Sequence, residues 1–302
     1  MKYLTLKYRS TKKMKKCIIC LKKKVINEFN EEHIFPEAIG GNLKIYDCCK
    51  LCNSKMGSKI DNELTNNEYI KIIRFLLKIK GKNGIINPFN TLLNSAFEGI
   101  KGKLIFEKSG KYSKFEIIQK TIIETENSLK IVCDSDNMEG MLKTINKKIA
   151  KSNQPPYTFE DLRKNTTSIS HPKLNNIDIK INLENDNKAL IYIIPELLKI
   201  TYELGYYHFK EKYLKDPTSI AIRNAIEEII SGKLIIDMPT YIEIDGFNWK
   251  DIKRYNSYQF LIKNNKIICH LNILNFITAR IVLSKNSNDY KLINENINES
   301  VF

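Results

Sequence analysis

No stretch of the 302 residues approaches the roughly 18 uninterrupted apolar positions that a membrane-spanning helix needs. The first sixteen residues, MKYLTLKYRSTKKMKK, lack the apolar block and small-residue cleavage site of a secretory signal. Membrane insertion and secretion are both disfavoured, and a cytoplasmic protein is the expectation. Internal repeats and low-complexity tracts are missing as well. Acidic residues are outnumbered, 34 Asp/Glu against 49 Lys/Arg, for a net charge of +15. With 42% apolar residues the chain has enough material for a core, which excludes wholesale disorder. The charge is uneven: residues 1–60 hold 14 Lys/Arg and 5 Asp/Glu. A basic N-terminal fifth suits a polyanion binder, because cationic side chains displace the counterions condensed on phosphates. A general lysine-rich bias would give a similar total.

Seven cysteines stand at positions 17, 20, 48, 49, 52, 133 and 269. An odd count without a signal peptide argues against a disulfide scaffold. Five of them crowd into residues 17–52, and such crowding points to metal. Cys17-Ile-Ile-Cys20 and Cys49-Lys-Leu-Cys52 are two CxxC units separated by 28 residues. Thiolates two residues apart in a tight turn reach one tetrahedral ion at about 2.3 Å, and two such turns close the shell. Zinc is the expected ion, soft enough for sulfur and inert to redox. No βαβ pattern flanks either pair, which disfavours a dithiol redox site. Cys48 could compete as a ligand, but three places on stands Leu51, so Cys49 keeps the CxxC register. Cys133 and Cys269 fall in β-like apolar runs and read as buried residues.

The chain divides by pattern into residues 1–64, a basic arm with the cysteine-rich module, and 65–302, an α+β accessory domain for specificity, a partner or regulation. The fold class is α+β: a small zinc-stabilised module followed by a larger mixed domain of antiparallel strands and helices. Residues 17–60 have little apolar surface, so bound metal must supply folding energy there. A helical apolar face runs from Tyr69 to Ile79. Hairpins are expected over 100–134, with turns at Ser109-Gly110 and Glu126-Asn127. A helix is expected over 137–151 and a surface loop over 152–168. The runs IDIKINL and ALIYII, within 177–194, read as strands. Pro195 is expected to open a helix through Lys212, a further helix covers about 218–231, and short strands fill the tail.

Between the cysteine pairs the sequence carries Glu32-His33-Ile34-Phe35-Pro36, a Gly40-Gly41 turn, and Cys49-x-x-Cys52-Asn53 continuing to Gly57 and Asp61. Over residues 17–64 this combination resembles the HNH endonucleases of the ββα-metal type, in the zinc-stabilised subgroup that frames its site with two CxxC pairs. The resemblance implies a structural zinc on Cys17, Cys20, Cys49 and Cys52. It also implies a nuclease hydrolysing phosphodiester bonds, with double-stranded DNA as the expected partner and restriction or anti-phage defence as a setting.

The residue types suit that chemistry. His33, the only histidine in the first 170 residues, can be a neutral base at pH 7. Glu32 and Asn53 offer hard oxygens suited to Mg²⁺ or Mn²⁺. Adjacent side chains of an extended segment point to opposite faces. The resemblance instead implies that Glu32 and His33 sit at a strand end and converge on one phosphate, with Asn53 on the helix opened by the second CxxC. His33 then activates water while Glu32 and Asn53 hold the cation. Asn53 stands where the family often has His, and Asn42 is the nearest counterpart of the central Asn that orients the histidine. Lys12, Lys13, Lys15, Lys16, Lys22, Lys23 and Lys24 are the candidate phosphate contacts. Asp61 and Glu63 read as acidic residues at the start of the next helix. The alternative is a non-catalytic zinc-ribbon protein that binds nucleic acid, with the C-terminal part as a sensor. His208 and the tyrosines around it read as packing.

Overall fold

A computed structural model describes residues 13–81, 84–88, 102–107, 109, 111–125, 128–133, 137–152, 155–166, 186–233, 237–290 and 297–300. In chain order the elements are as follows. Strands β1 (Met14–Lys16), β2 (Lys23–Val25), β3 (Glu32–His33) and β4 (Lys44–Ile45) precede helices α1 (Lys50–Met56), α2 (Asn62–Asn66) and α3 (Glu68–Leu76). Next come β5 (Lys80–Gly81), β6 (Gly84–Ile85), β7 (Gly102–Phe106), β8 (Tyr112–Ile117), β9 (Lys120–Thr125), β10 (Ser128–Val132), α4 (Met138–Ile149) and α5 (Phe159–Asn165). Last are α6 (Asp186–Tyr213), α7 (Pro217–Ile230), β11 (Ile242–Phe247), β12 (Tyr255–Lys263), β13 (Lys266–Ile273), β14 (Ile277–Ser284) and β15 (Ile297–Ser300). Among the described residues no helix is long and apolar enough to cross a membrane. The class is α+β, as the pattern indicated.

The chain forms two compact units, Met1–Asn83 with Glu184–Phe302, and Gly84–Leu183. Helix α6 ties the two ends of the first unit together. From Glu196 to Tyr206 every residue is buried, so the helix is surrounded on all sides rather than along one stripe. Its Ile193, Leu197, Tyr202 and Leu204 share one core cluster with Ile18, Ile34, Phe35 and Ile39 of the cysteine-rich segment. That segment therefore has a hydrophobic core after all, borrowed from residues more than 150 positions downstream. The same cluster takes in a five-stranded antiparallel sheet, ordered β11-β14-β13-β12-β15. Strand β13 alternates buried Ile267, Cys269, Leu271 and Ile273 with less buried neighbours, the period-two pattern of a half-covered sheet. Its hairpin with β12 turns at Asn264-Asn265, both at positive φ, as a two-residue hairpin turn requires.

Three expectations need correction. Residues 189–194 are helical, not a strand, and Pro195 lies inside α6. An all-apolar run of six cannot show its period by itself; here Ala189 and Ile193 are buried while Ile191 is 64% exposed, a helical spacing. The expected loop at 152–168 contains α5, started by a capping box in which Thr158 and Asp161 bond each other's backbone. Of the run Leu234–Met238, the described residues Asp237 and Met238 are not in a strand. The expected strand at 177–183, and Gly110 and Glu126-Asn127 of the two hairpin turns, lie outside the described residues. In the second unit β7 pairs with β8 and β9 with β10, antiparallel as expected.

Gly205 carries a packing constraint inside α6. A Cβ there would sit 2.4 Å from Cζ of Tyr213, whose ring is fully buried. Gly→Ala in a helix ordinarily gains roughly 1 kcal/mol. Forcing a methyl into a closed core costs about 1–3 kcal/mol. Gly205→Ala is expected to lower the urea midpoint with an unchanged slope.

Candidate functional site

The cysteine quartet assembles as the spacing predicted. The Sγ atoms of Cys17, Cys20, Cys49 and Cys52 all lie within 4.8 Å of one another. Tetrahedral ligation at about 2.3 Å places sulfurs about 3.8 Å apart, so the set fits a zinc ion. The first knuckle is closed by Cys17 N–H donating to the Lys22 carbonyl at 3.1 Å. The second is tied to the first by Cys49 N–H donating to Cys17 Sγ at 3.3 Å. Cys49 immediately precedes α1, so the second knuckle opens that helix. Cys48 is buried but stays outside the quartet.

Around this frame β3 and β4 form an antiparallel hairpin, Glu32 opposite Ile45 and His33 opposite Lys44. With α1 they make the strand–strand–helix order of the resemblance. In the connection between the strands Gly40 has φ 86°, the left-handed conformation that favours glycine. Gly41 is needed for space: a Cβ would lie 2.0 Å from the Phe35 carbonyl oxygen. Asn42 is exposed in the same connection.

Strand alternation separates Glu32 from His33. Glu32 is 4% exposed, and its Oε1 lies 2.8 Å from Nζ of Lys199, a fully buried ammonium on α6. Glu31 and His33 fall on the opposite side of the strand by alternation. Glu31 is exposed and ion-paired to Lys44 at 3.1 Å, which holds its carboxyl below the usual range. Asn53, on α1, donates from Nδ2 to the Glu31 carbonyl at 2.7 Å, so it reaches the motif strand. Each residue is thus fixed by one contact and keeps a donor atom back. Among the described residues no hydrogen bond is formed to Glu32 Oε2, to Asn53 Oδ1 or to the His33 ring.

Burial, assisted by the neighbouring Lys44 ammonium, lowers the His33 pKa below the ordinary imidazole value. The ring is therefore neutral at pH 7. A depressed pKa means that the unfolded chain binds the proton more readily. The contribution to stability is complete above about pH 6.5 and is lost as pH falls through the folded value. Without divalent ions, the His33 proton resonance is expected to titrate below about 6.5, and Lys44→Ala should move its midpoint upward.

The basic residues divide. Lys12 lies outside the described residues. Lys15 is committed to the Tyr46 carbonyl and to Asp47, and Lys24 to Glu28 and the Cys49 sulfur. Lys13, Lys16, Lys22 and Lys23 are exposed. Lys16 and Lys23 face each other across the β1–β2 hairpin, a like-charge pairing that disfavours the strand pair.

Lys199 was not legible as a site residue. Its Nζ also lies 2.7 Å from Asp61 Oδ1, 3.2 Å from the His33 carbonyl oxygen and 3.7 Å from Glu196 Oε1. Asp61 does stand just before α2, but its carboxylate serves this ammonium. Burial opposes the charge on Lys199, yet Asp61, Glu196, Glu32 and Glu203 together raise its pKa well above the ordinary value. Burial pushes the carboxyls of Glu196, Glu203 and Glu32 above their ordinary values, against the pull of the same ammonium. Lys199, Tyr202 and Tyr206 are spaced three and four apart, one helix face turned towards the module. Tyr202 donates to the Ile18 carbonyl at 2.5 Å. His208 bonds the Tyr258 hydroxyl at 2.8 Å within an aromatic cluster, a packing role as expected.

Residues 17–68 match the family model of HNH endonuclease, a segment that holds all four cysteines, Glu32, His33, Asn42 and Asn53. Neither the curated proteins nor the solved structures returned a match to the chain.

Proposed function

We propose that residues 17–68 form a working nuclease site that hydrolyses phosphodiester bonds in DNA, with zinc as its frame and Mg²⁺ or Mn²⁺ as its reactive cation. The observation that carries this reading is that one motif hairpin and its helix hold the half-buried, neutral His33 ring and the Asn53 amide, tied to the Glu31 carbonyl at 2.7 Å, while Glu32 lies on the inner face of the same strand against Lys199. Two hard oxygens suit a divalent ion, which stabilises charge on the phosphate and the departing oxygen when bound. His33 takes a proton from water as that water attacks phosphorus in line. Lys44, opposite His33, is a cation beside the phosphate path. Glu31 aligns Asn53 through its carbonyl. Asn42 is assigned to the connection that sets the His33 orientation.

Lys13, Lys16, Lys22 and Lys23 grip phosphates without reading sequence. The repulsion between Lys16 and Lys23 costs stability in the free protein and is relieved when a polyanion lies across the hairpin. Lys12 extends this surface. Restriction or anti-phage defence is the setting the resemblance suggests.

The test is nicking of supercoiled plasmid with Mg²⁺ or Mn²⁺, with duplex binding measured in parallel. The wild type is expected to cut, and His33→Ala to bind equally and leave the plasmid intact. Equal binding by both proteins with no cleavage under any divalent ion would establish the zinc-held nucleic-acid binder instead.

A further inference from the structure

Lys199 is the buried charged group that the nuclease reading leaves without a role. An ammonium has three hydrogens to donate. Its close acceptors are Asp61 Oδ1, Glu32 Oε1 and the His33 carbonyl oxygen, at 2.7, 2.8 and 3.2 Å. All three belong to the matched segment, and two are the consecutive motif residues Glu32 and His33. The third, Asp61, ends the wide π-helical turn Gly57–Asp61 that continues from α1, the helix bearing Asn53. One ammonium therefore links the strand that carries the base to the helical limb that carries the amide. It is fully buried, on the stretch Glu196–Tyr206 of α6 where every residue is buried.

We propose that Lys199 is a positioning residue of the nuclease site. By taking Glu32 Oε1 it pins that carboxylate to the inner face of the motif strand, opposite His33. By taking the His33 carbonyl it fixes the backbone from which the imidazole projects. Residues 186–213 are then part of the site, not a separable accessory to it. A structural pillar needs only the charge balance. A positioning residue needs the geometry as well, since misplacing a reacting group by about 1 Å costs roughly 100-fold in rate. This inference rests on the nuclease reading of His33 and Glu32.

The experiment compares wild type, Lys199→Met and Asp61→Leu at saturating DNA and Mn²⁺. Rates are taken per folded, zinc-loaded molecule, and the His33 resonance is followed among the four histidines. Lys199→Met is expected to cut about 100-fold more slowly with unchanged DNA affinity and zinc content, and to need more Mn²⁺ for half its maximal rate. Its His33 resonance should move. Should Lys199→Met fail to fold, Asp61→Leu takes its place, because Asp61 is partly exposed and its loss leaves the ammonium two close acceptors; the same slowing and shift of the His33 resonance are expected. Cleavage at the wild-type rate in the folded variant overturns the proposal, whatever the resonance does. A wild type that cuts nothing sinks the nuclease reading alone. The resonance then decides the tie: displaced if Lys199 holds the strand, unmoved if it does not.

Discussion

Cys52→Ser, or a chelator that strips the quartet, is expected to unfold the zinc module and the core it shares with α6. Structural zinc contributes roughly 10–16 kcal/mol in small sites at neutral pH. A whole domain is stable by only about 5–15 kcal/mol, so loss of the ion outweighs the remaining stability. Cys17 and Cys49 are fully buried, Cys52 is nearly so, and four sulfurs crowd within 4.8 Å, an arrangement that bound zinc stabilises. The loss should spread, because Ile18 and Ile19 between the first pair of ligands lie in the same cluster as Leu197 and Tyr202. Circular dichroism with zinc content measured on the same sample checks this. Melting at the wild-type temperature with no bound zinc would contradict it.

His33→Ala is expected to lower DNA cleavage by about 10²–10⁴-fold, the range that a positioned general base supplies. Substrate binding should change little, because His33 is half-buried and the exposed lysines carry the electrostatic attraction. The loss should fall on the maximal rate and not on half-saturating DNA, as for an interaction made in the transition state. Single-turnover cleavage beside a filter-binding titration separates the two. A variant that cuts at the wild-type rate would remove His33 from the chemistry.

Much of the site was legible because its signals are local. Two CxxC turns announce their own ligand set, and Glu32-His33 with Asn53 mark the strand and helix between which they stand. The alternation rule also held: Glu32 faces inward and His33 does not. What could not be read is what Glu32 faces. Lys199 follows it by 167 positions, and Leu-Leu-Lys-Ile-Thr reads like any apolar helix with a solvated lysine. Only the three-dimensional core reveals that no solvent is available to that lysine. The same blindness hides the core of the cysteine-rich segment. A short segment poor in apolar runs looked dependent on metal alone, while Ile34, Phe35 and Ile39 were waiting for α6. The misread strand at 189–194 has a local cause, since uninterrupted apolar residues hide their period. Pro155-Pro156 marks a loop, and the start of α5 is set by the Thr158–Asp161 capping box two residues beyond it.

The most direct test of the account reconstitutes metal-stripped protein with graded zinc and measures plasmid cleavage in fixed Mn²⁺ at each step. Cleavage should rise in proportion to bound zinc and reach its plateau at one ion per chain. Full zinc occupancy with an intact plasmid, or full cleavage without zinc, would contradict the claim that a sulfur-held frame carries a cutting site.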